Sequence, residues 1–277
     1  MTQTPSIDLD AYFQRIGHDG DRAPTLETLL ALQLRHAQSI PFENLNPLLR
    51  LPVLLDPASL QRKLVHERRG GYCYEQNLLF RDVLRELGFT VAGLAARVLW
   101  NAPEGEIRPK THMLLLVDFM GAPYIVDVGF GNQSPTGPLR LETGVEQPAP
   151  HGLFRLVLAE GDYMLESNVR GQWLPLYRFD LRKQERVDYE VANWYVSSHP
   201  SSHFVHHLLA ARPVPGGVRY TLRDNELGIH RLGDETDRRV LTTPAEIRET
   251  LETLLQISPP NVPELDSVLA RLCGPTG

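Results

Sequence analysis

The chain has 277 residues, a formal net charge of −6, 42% apolar residues and 22% charged ones. Such a length supports a well-buried core, arranged as one large domain or about two or three small ones, and the balance is that of an ordinary soluble globular protein. The negative charge argues against a broad nucleic-acid surface, and no apolar run approaches the roughly 18 residues of a membrane span.

The polar, acidic start MTQTPSIDLD is unlike a signal peptide, so a cytoplasmic protein is expected. Leu9, Tyr12, Phe13 and Ile16 then recur at helical spacing, with Gly17 placed to cap the helix end. A second helix begins near Leu26. A third is announced by Asp56 as N-cap and Pro57 at the first helical position, with Gly70 and Gly71 beyond its end. From YCYEQN onward, Leu79, Phe80, Val83, Leu84 and Leu87 form another apolar stripe, which Gly88 stops. Past Gly88 the texture changes to short segments rich in β-formers, among them TVAGLAARVLW, THMLLLVDF, YIVDVGF and QWLPLYRF, as in an antiparallel sheet or small barrel. The final part is mixed, with a hairpin in VRYTLRDNELGIHRL and a helix opened by the capping box of Thr243 and Glu246. These shifts divide the chain into a helical part (1–88), a strand-rich part (89–190) and a mixed part (191–277), an α+β protein.

Only two cysteines occur, most of the chain apart, so no disulfide framework is expected. There is no CxxC, no HExxH and no clustered Cys/His spacing, so no metal site is expected either. Cys273, near the C-terminus, is incidental. Cys73 differs, because it falls in the first turn of a helix directly after two glycines. A lone cysteine is commonly a small buried hydrophobe. The first turn, however, offers free N–H groups and the positive end of the macrodipole, both of which favour a thiolate, and the Cys73 amide could donate to an oxyanion.

A nucleophilic thiol needs a base, and the base needs a group to orient it. Of ten histidines, His18, His36 and His66 fall on polar helix faces or helix ends and are expected to be exposed, and four more crowd the loop from His199 to His207. His112 stands directly before a strongly apolar strand. Asp127 sits within the next apolar run, where a charge is costly unless paired. Across an even-length hairpin loop, opposed residues have numbers with an odd total, as 112 and 127 do. Such a loop puts His112 and Asp127 on one face, opposed or diagonal, and completes a nucleophile–base–orienter set.

RRGGYCYEQN, then THMLLLV, then YIVDVGFGNQSPTGPL, with SIPFENLN ahead of them, together resemble the prokaryotic type of arylamine N-acetyltransferase family over about residues 8–140. The resemblance implies an N-terminal helical bundle, a central β-barrel and a C-terminal α/β lid around a catalytic core of the cysteine-protease/transglutaminase kind. It also implies Cys73, His112 and Asp127 as catalytic residues of a ping-pong transfer from acetyl-CoA, through an acetyl-cysteine, to arylamines, arylhydroxylamines or hydrazines. Acetyl-CoA is then a co-substrate, no cofactor is held permanently, and homo-oligomers are left open. Gly129 and Gly131 would let the backbone approach CoA or acceptor, and Phe130 would offer a ring to an aromatic amine. The family further suggests Phe42, Val98 and Phe204 as acceptor-pocket walls, and Trp100, Thr111 and His203 near the CoA cleft. A transglutaminase-like or papain-like thiol hydrolase would order the same three residue types the same way, although RGGYCYEQN lacks the papain style of cysteine segment. A binding protein that keeps the fold without the chemistry is the other rival.

Overall fold

The structure, a computed structural model, describes residues 7–103 and 105–274; the polar segment ahead of Ile7 lies outside the described residues. Five helical elements open the chain: α1 (Leu9–Ile16), α2 (Leu26–Ser39), α3 (Leu45–Leu48), α4 (Pro57–Gln61) and α5 (Cys73–Glu86), with a two-residue strand β1 (Phe42–Glu43) before α3. Local chemistry sets their ends. The Asp8 side chain accepts from the Ala11 N–H at α1, Thr25 accepts from Thr28 at α2 and Asp56 accepts from Ser59 at α4. Gly17 takes the left-handed conformation that closes α1. Directly after α4, Arg62–His66 form a π-helical turn, which the apolar period does not signal.

Eight antiparallel strands follow as one sheet: β2 (Thr90–Val98), β3 (Lys110–Phe119), β4 (Ala122–Val126), β5 (Leu139–Arg140), β6 (Glu146–Ala149), β7 (Gly152–Ala159), β8 (Asp162–Val169) and β9 (Gln172–Phe179). Their spatial order is β5-β4-β3-β2-β9-β8-β7-β6. The two edges are consecutive in sequence and meet. The Gln147 side chain accepts from the Arg140 N–H at 2.7 Å and donates to the Arg140 carbonyl at 3.0 Å, so the sheet curls into a nearly closed barrel.

This curl explains the unbroken apolar run of β3. Met113, Leu115 and Val117 face the helices and join their core, whereas Leu114 packs inside the barrel with Leu94, Ile125, Phe154 and Leu176. Both faces of the strand are buried, so period-two alternation disappears from the sequence.

Helix α6 (Arg186–Ser198) leads to a second sheet of β10 (Leu209–Val214), β11 (Val218–Arg223), β12 (Glu226–Arg231) and β13 (Asp237–Val240). The first segment contributes its edge strand, since Phe42 and Glu43 of β1 pair with Ala211 and Ala210 of β10. Against this sheet pack α3, α7 (Pro244–Glu249), a further π-helical turn (Thr250–Leu254) and α8 (Glu264–Leu272). The α+β class and the barrel agree with the sequence reading. Helix α6 was not legible because its apolar residues point both ways: Val187, Val191 and Trp194 are exposed, while Tyr189 and Val196 are buried beside Asn193 and Ser197.

Arg212 of β10 joins the first and last helical parts, donating to the Gln38 carbonyl at 2.7 Å and to the Leu254 carbonyl at 3.1 Å. Its replacement by Ala leaves two half-buried carbonyls short of a donor and is expected to lower stability by about 1–3 kcal/mol. Urea unfolding measures this; a loss within experimental error would show that water replaces the guanidinium.

Candidate active site

The nucleophile candidate is placed by a buried set of charges. Cys73 is the first residue of α5, and the preceding Tyr72 N–H is accepted by Glu75 Oε2 at 3.2 Å. Lys63, turned inward by the first π-helical turn, donates to Glu75 Oε1 at 2.6 Å. Arg69 donates through Nε and one terminal nitrogen to Glu43 Oε1, at 3.2 and 2.8 Å, and Glu43 Oε2 accepts from the Leu45 N–H at 2.6 Å. Burial raises the Glu43 carboxyl, but Arg69 and Lys63 outweigh it and hold the group below its usual range. At Glu75 burial wins over Lys63 and the group is raised. Gly70 is where the chain must pass closely, since a Cβ there would lie 2.2 Å from the Pro41 carbonyl oxygen.

The other two members arrive on one hairpin. Strands β3 and β4 are joined by Met120 and Gly121, an even loop with positive φ at both residues, and pair Leu115 with Val126. His112 and Asp127 therefore share the barrel phase and stand diagonally, the arrangement that an even loop allows. His112 Nε2 donates to Asp127 Oδ2 at 2.7 Å. Asp127 Oδ1 accepts from Asn77 Nδ2 at 3.1 Å and from the Gly129 N–H at 2.8 Å. Cys73 Sγ lies 3.7 Å from the Thr111 carbonyl oxygen and beside the His112 imidazole. All three side chains are buried, with exposures of 5% for Cys73, 3% for His112 and 0% for Asp127.

Burial by itself would hold the His112 imidazole neutral. The Asp127 carboxylate, with the thiol on the other side, outweighs burial and carries the imidazolium up to about 10. Burial likewise raises Asp127, but its imidazolium partner and its hydrogen bonds hold it below the usual carboxylate range. The ring of Tyr177 tilts over His112 at 4.9 Å, and Phe130 meets it edge-on at 5.1 Å. The Tyr177 hydroxyl lies close to the Asp127 carboxylate but makes no hydrogen bond of good geometry.

The remaining sequence candidates divide. Gly129 packs on the nucleophile's own backbone: a Cβ there would lie 2.6 Å from Cys73 Cα and 2.9 Å from Asn77 Nδ2. Gly131 has φ 92° and rests against the Phe42 ring. Phe42 and Tyr72 both meet Phe204 edge-on, at 6.1 and 5.4 Å, and His203 meets it at 4.7 Å. Burial, with His207, Arg223 and Arg108 nearby, pushes the His203 imidazolium down. Val98 is paired with Tyr177 on the neighbouring strand. Trp100, in the turn beyond β2, donates its backbone N–H to the Leu176 carbonyl at 3.1 Å and packs against the barrel core. Among the described residues no group of three His, Cys, Asp or Glu side chains could hold a metal.

The sequence reading missed the residues that hold this set together. Asn77 donates to the Met113 carbonyl at 2.8 Å as well as to Asp127, and accepts from the Val128 N–H at 3.2 Å. Gln76 donates to the carbonyls of Ile40, Pro41 and Gly71 at 3.1, 2.8 and 3.1 Å. Both follow Cys73 by three and four positions on a helix, which was a legible signal for a shared face. The expectation that His36 is exposed is overturned. It is fully buried, with Nε2 donating to Gln76 Oε1 at 2.7 Å and Nδ1 accepting from the Tyr12 hydroxyl at 2.9 Å. The turns that bring α1 and α5 onto this side of α2 decide that burial, and the helix's own period does not show it.

A buried cysteine at a helix start, beside a histidine–aspartate pair on the rim of a barrel, defines a thiol–imidazole–carboxylate site. Comparison with known proteins narrows the class. A family profile described as N-acetyltransferase matches residues 25–261. The arylamine N-acetyltransferase of Mycobacterium tuberculosis is 44% identical over 280 residues, spanning 97% of this chain and 98% of its own. That of Mycolicibacterium smegmatis is 48% identical over 232 residues, spanning 82% and 84%. The solved structure of Mycobacterium marinum arylamine N-acetyltransferase in complex with CoA has a TM-score of 0.92 at 41% identity, covering 96% of this chain and 100% of that one. The chain belongs to the arylamine N-acetyltransferase family.

His36 carries a pH dependence. Burial, only partly countered by the Gln76 hydrogen bond, lowers its imidazolium from 6.5 to about 4. The unfolded chain then binds a proton that the native one refuses, so stability is complete above the unfolded value and is lost as pH falls from there towards the folded value. From about pH 7 to about pH 4.5 the loss from this group is about 2–3 kcal/mol. Urea unfolding at both values should show that loss, and His36→Gln, which cannot titrate, should remove most of it whatever its stability at neutral pH.

Proposed function

We propose that this protein is an acetyl-CoA:arylamine N-acetyltransferase in which Cys73 is the nucleophile, His112 the base and Asp127 its orienter. The observation that carries the assignment is the 2.7 Å bond from His112 Nε2 to Asp127 Oδ2, which leaves Nδ1 as the ring nitrogen free for the neighbouring thiol. Because Asp127 favours the imidazolium, the thiol proton has a stable place to go.

In the first half-reaction the Cys73 sulfur attacks the acetyl thioester carbon. The S–C bond to CoA breaks as the bond to Cys73 forms, and the CoA thiolate takes the proton held by His112. In the second half an arylamine, arylhydroxylamine or hydrazine attacks the acetyl-cysteine, and His112 accepts the amine proton as the cysteine sulfur leaves. Negative charge develops on the carbonyl oxygen in both halves. The Cys73 N–H, in the first turn of α5 where the helix itself supplies no acceptor, is a donor for it.

Around these residues we assign the acceptor walls to Phe42, Phe130, Phe204 and Val98, and the CoA side to Thr111, Trp100, His203, Gly129 and Gly131. Three parts serve the site: 1–88 carries the nucleophile, 89–190 the histidine and aspartate, and 191–277 a lid. A cytoplasmic location is part of this proposal, and among the described residues no helix is long and apolar enough to cross a membrane. Homo-oligomerisation is compatible with this reading and is tested by sedimentation.

Brief exposure to acetyl-CoA without acceptor should add one acetyl group to the intact mass. The gain should be absent in Cys73→Ala and discharged by an added arylamine. An unmodified wild-type mass would overturn the reading. Asp127→Asn should stay folded and lose about 10³–10⁴-fold in turnover, because the imidazole loses its orienter and its charge stabilisation; turnover near that of the wild type would remove Asp127 from the role.

A further inference from the structure

Among the described residues, Arg219 of β11 is a cation without a carboxylate partner. Its side chain is 5% exposed, and burial, with no charged neighbour among the described residues, is what acts on its guanidinium. Its guanidinium donates instead to backbone carbonyls: Asn132 at 2.6 Å, Ser134 at 3.1 Å from each terminal nitrogen, and His151 at 3.0 Å. Burial pulls it down to about 9, which leaves it charged at neutral pH. A charge is seldom held this way, because carbonyl dipoles return less of the lost hydration than a carboxylate does. His151 does not compete: Nε2 donates to the Val214 carbonyl at 2.7 Å, Nδ1 is paired with the Thr136 hydroxyl at 3.0 Å, and burial pushes its imidazolium down.

Of the carbonyls that Arg219 gathers, that of His151 lies between β6 and β7, and those of Asn132 and Ser134 belong to the turn after Asp127. In that turn Ser134 Oγ accepts from the Gly131 N–H at 2.8 Å. Gly131 is thereby set against Phe42, and its neighbour Phe130 against the His112 ring. Two residues earlier, the Gly129 N–H holds Asp127 Oδ1. Gln33 of α2 grips the same segment from the other side, donating to the carbonyls of Pro135 at 2.8 Å and Asp127 at 3.3 Å. The segment 127–135 has no strand partners of its own, and β5 begins only at Leu139. Its shape therefore depends on these side-chain donors.

We propose that Arg219 is a positioning residue for the reaction: from the second sheet it fixes the 131–134 turn, and through that turn it sets Phe130 and the Gly129 amide against the His112–Asp127 pair. The proposal rests on the assignment of Cys73, His112 and Asp127, but not on the identity of the acyl donor. A guanidinium suits the site because its two terminal nitrogens reach carbonyls that lie apart, whereas the three donors of an ammonium radiate from one nitrogen. The effect is expected in the reactivity of the thiol and in kcat, with the KM for acetyl-CoA changing less.

The test compares wild type, Arg219→Met and Arg219→Lys, each checked for cooperative unfolding above the assay temperature. The readout is the rate of Cys73 alkylation by iodoacetamide across pH. The Met variant should lose about ten- to hundredfold in alkylation rate near neutral pH, with a displaced pH profile, as expected for an activating group shifted by a fraction of an ångström to an ångström. The Lys variant should fall between the two. Should Arg219→Met not fold, Arg219→Lys with Ser134→Ala takes its place. Both act on one turn, so their losses should combine less than multiplicatively. Folded Arg219 variants with the wild-type alkylation profile would overturn the proposal, as would independent, multiplicative losses in the pair. Because alkylation needs no acetyl-CoA, failure here is distinct from failure of the acetylation experiment.

Discussion

Asp127 is a carboxylate removed from water, and it remains ionised because three donors converge on it. His112 takes one oxygen, and Asn77 and the Gly129 amide share the other. Isolated, such a charge would neutralise itself by taking up a proton. Each donor comes from a different piece of the fold: β3, α5 and the segment beyond β4. Their meeting point is the place where the helical bundle and the barrel must agree to within a fraction of an ångström. Gly129 shows how tight the agreement is, since the barrel backbone there touches the Cα of the nucleophile. The carboxylate thus orders the site and welds two layers of the protein together.

Behind the nucleophile lies a second buried electrostatic set, Glu43–Arg69 and Lys63–Glu75. Replacing such pairs wholesale by apolar residues is often neutral for stability, whereas removing one partner is costly. Their evident service here is geometric. Glu75 holds the Tyr72 amide at the entrance to α5, and Glu43 brings β1 alongside Gly71, whose carbonyl accepts from the Glu43 N–H at 3.1 Å. Because β1 is also the edge of the second sheet, the strand that steadies the nucleophile's helix is paired to the part of the chain that carries Arg219. The three parts read from sequence are consequently interleaved around one site.

Some of this was legible beforehand for definite reasons. Helix caps act through bonds three residues long: Asp56 and Thr243 were read from the sequence, and Asp8 and Thr25, which were not, act in the same way. The odd total of 112 and 127 allowed them to share a face, and the two-residue loop between β3 and β4 meets the condition that this needed. Other elements were hidden. Helix α6 turns Val187, Val191 and Trp194 outward while Tyr189 and Val196 face the core, which blurs the periodic signal. The π-helical turns leave no mark in an apolar pattern. The burial of His36 depends on Tyr12 and Gln76, which are 24 and 40 residues away.

The sequence by itself determined which side chains exist to do chemistry, where helices start, where strands turn and which family the chain resembles, because those features depend on neighbours within a few residues. Only the tertiary structure decided which polar groups would be dry. Burial is a property of contacts between distant segments, and burial turned Asn77, Gln76, His36 and Arg219 from unremarkable polar residues into the frame of the site. Removing water strengthens each hydrogen bond they make and raises the cost of leaving one unmade. Their influence on the thiol and imidazole is therefore set by packing, and a one-dimensional pattern carries almost no record of it.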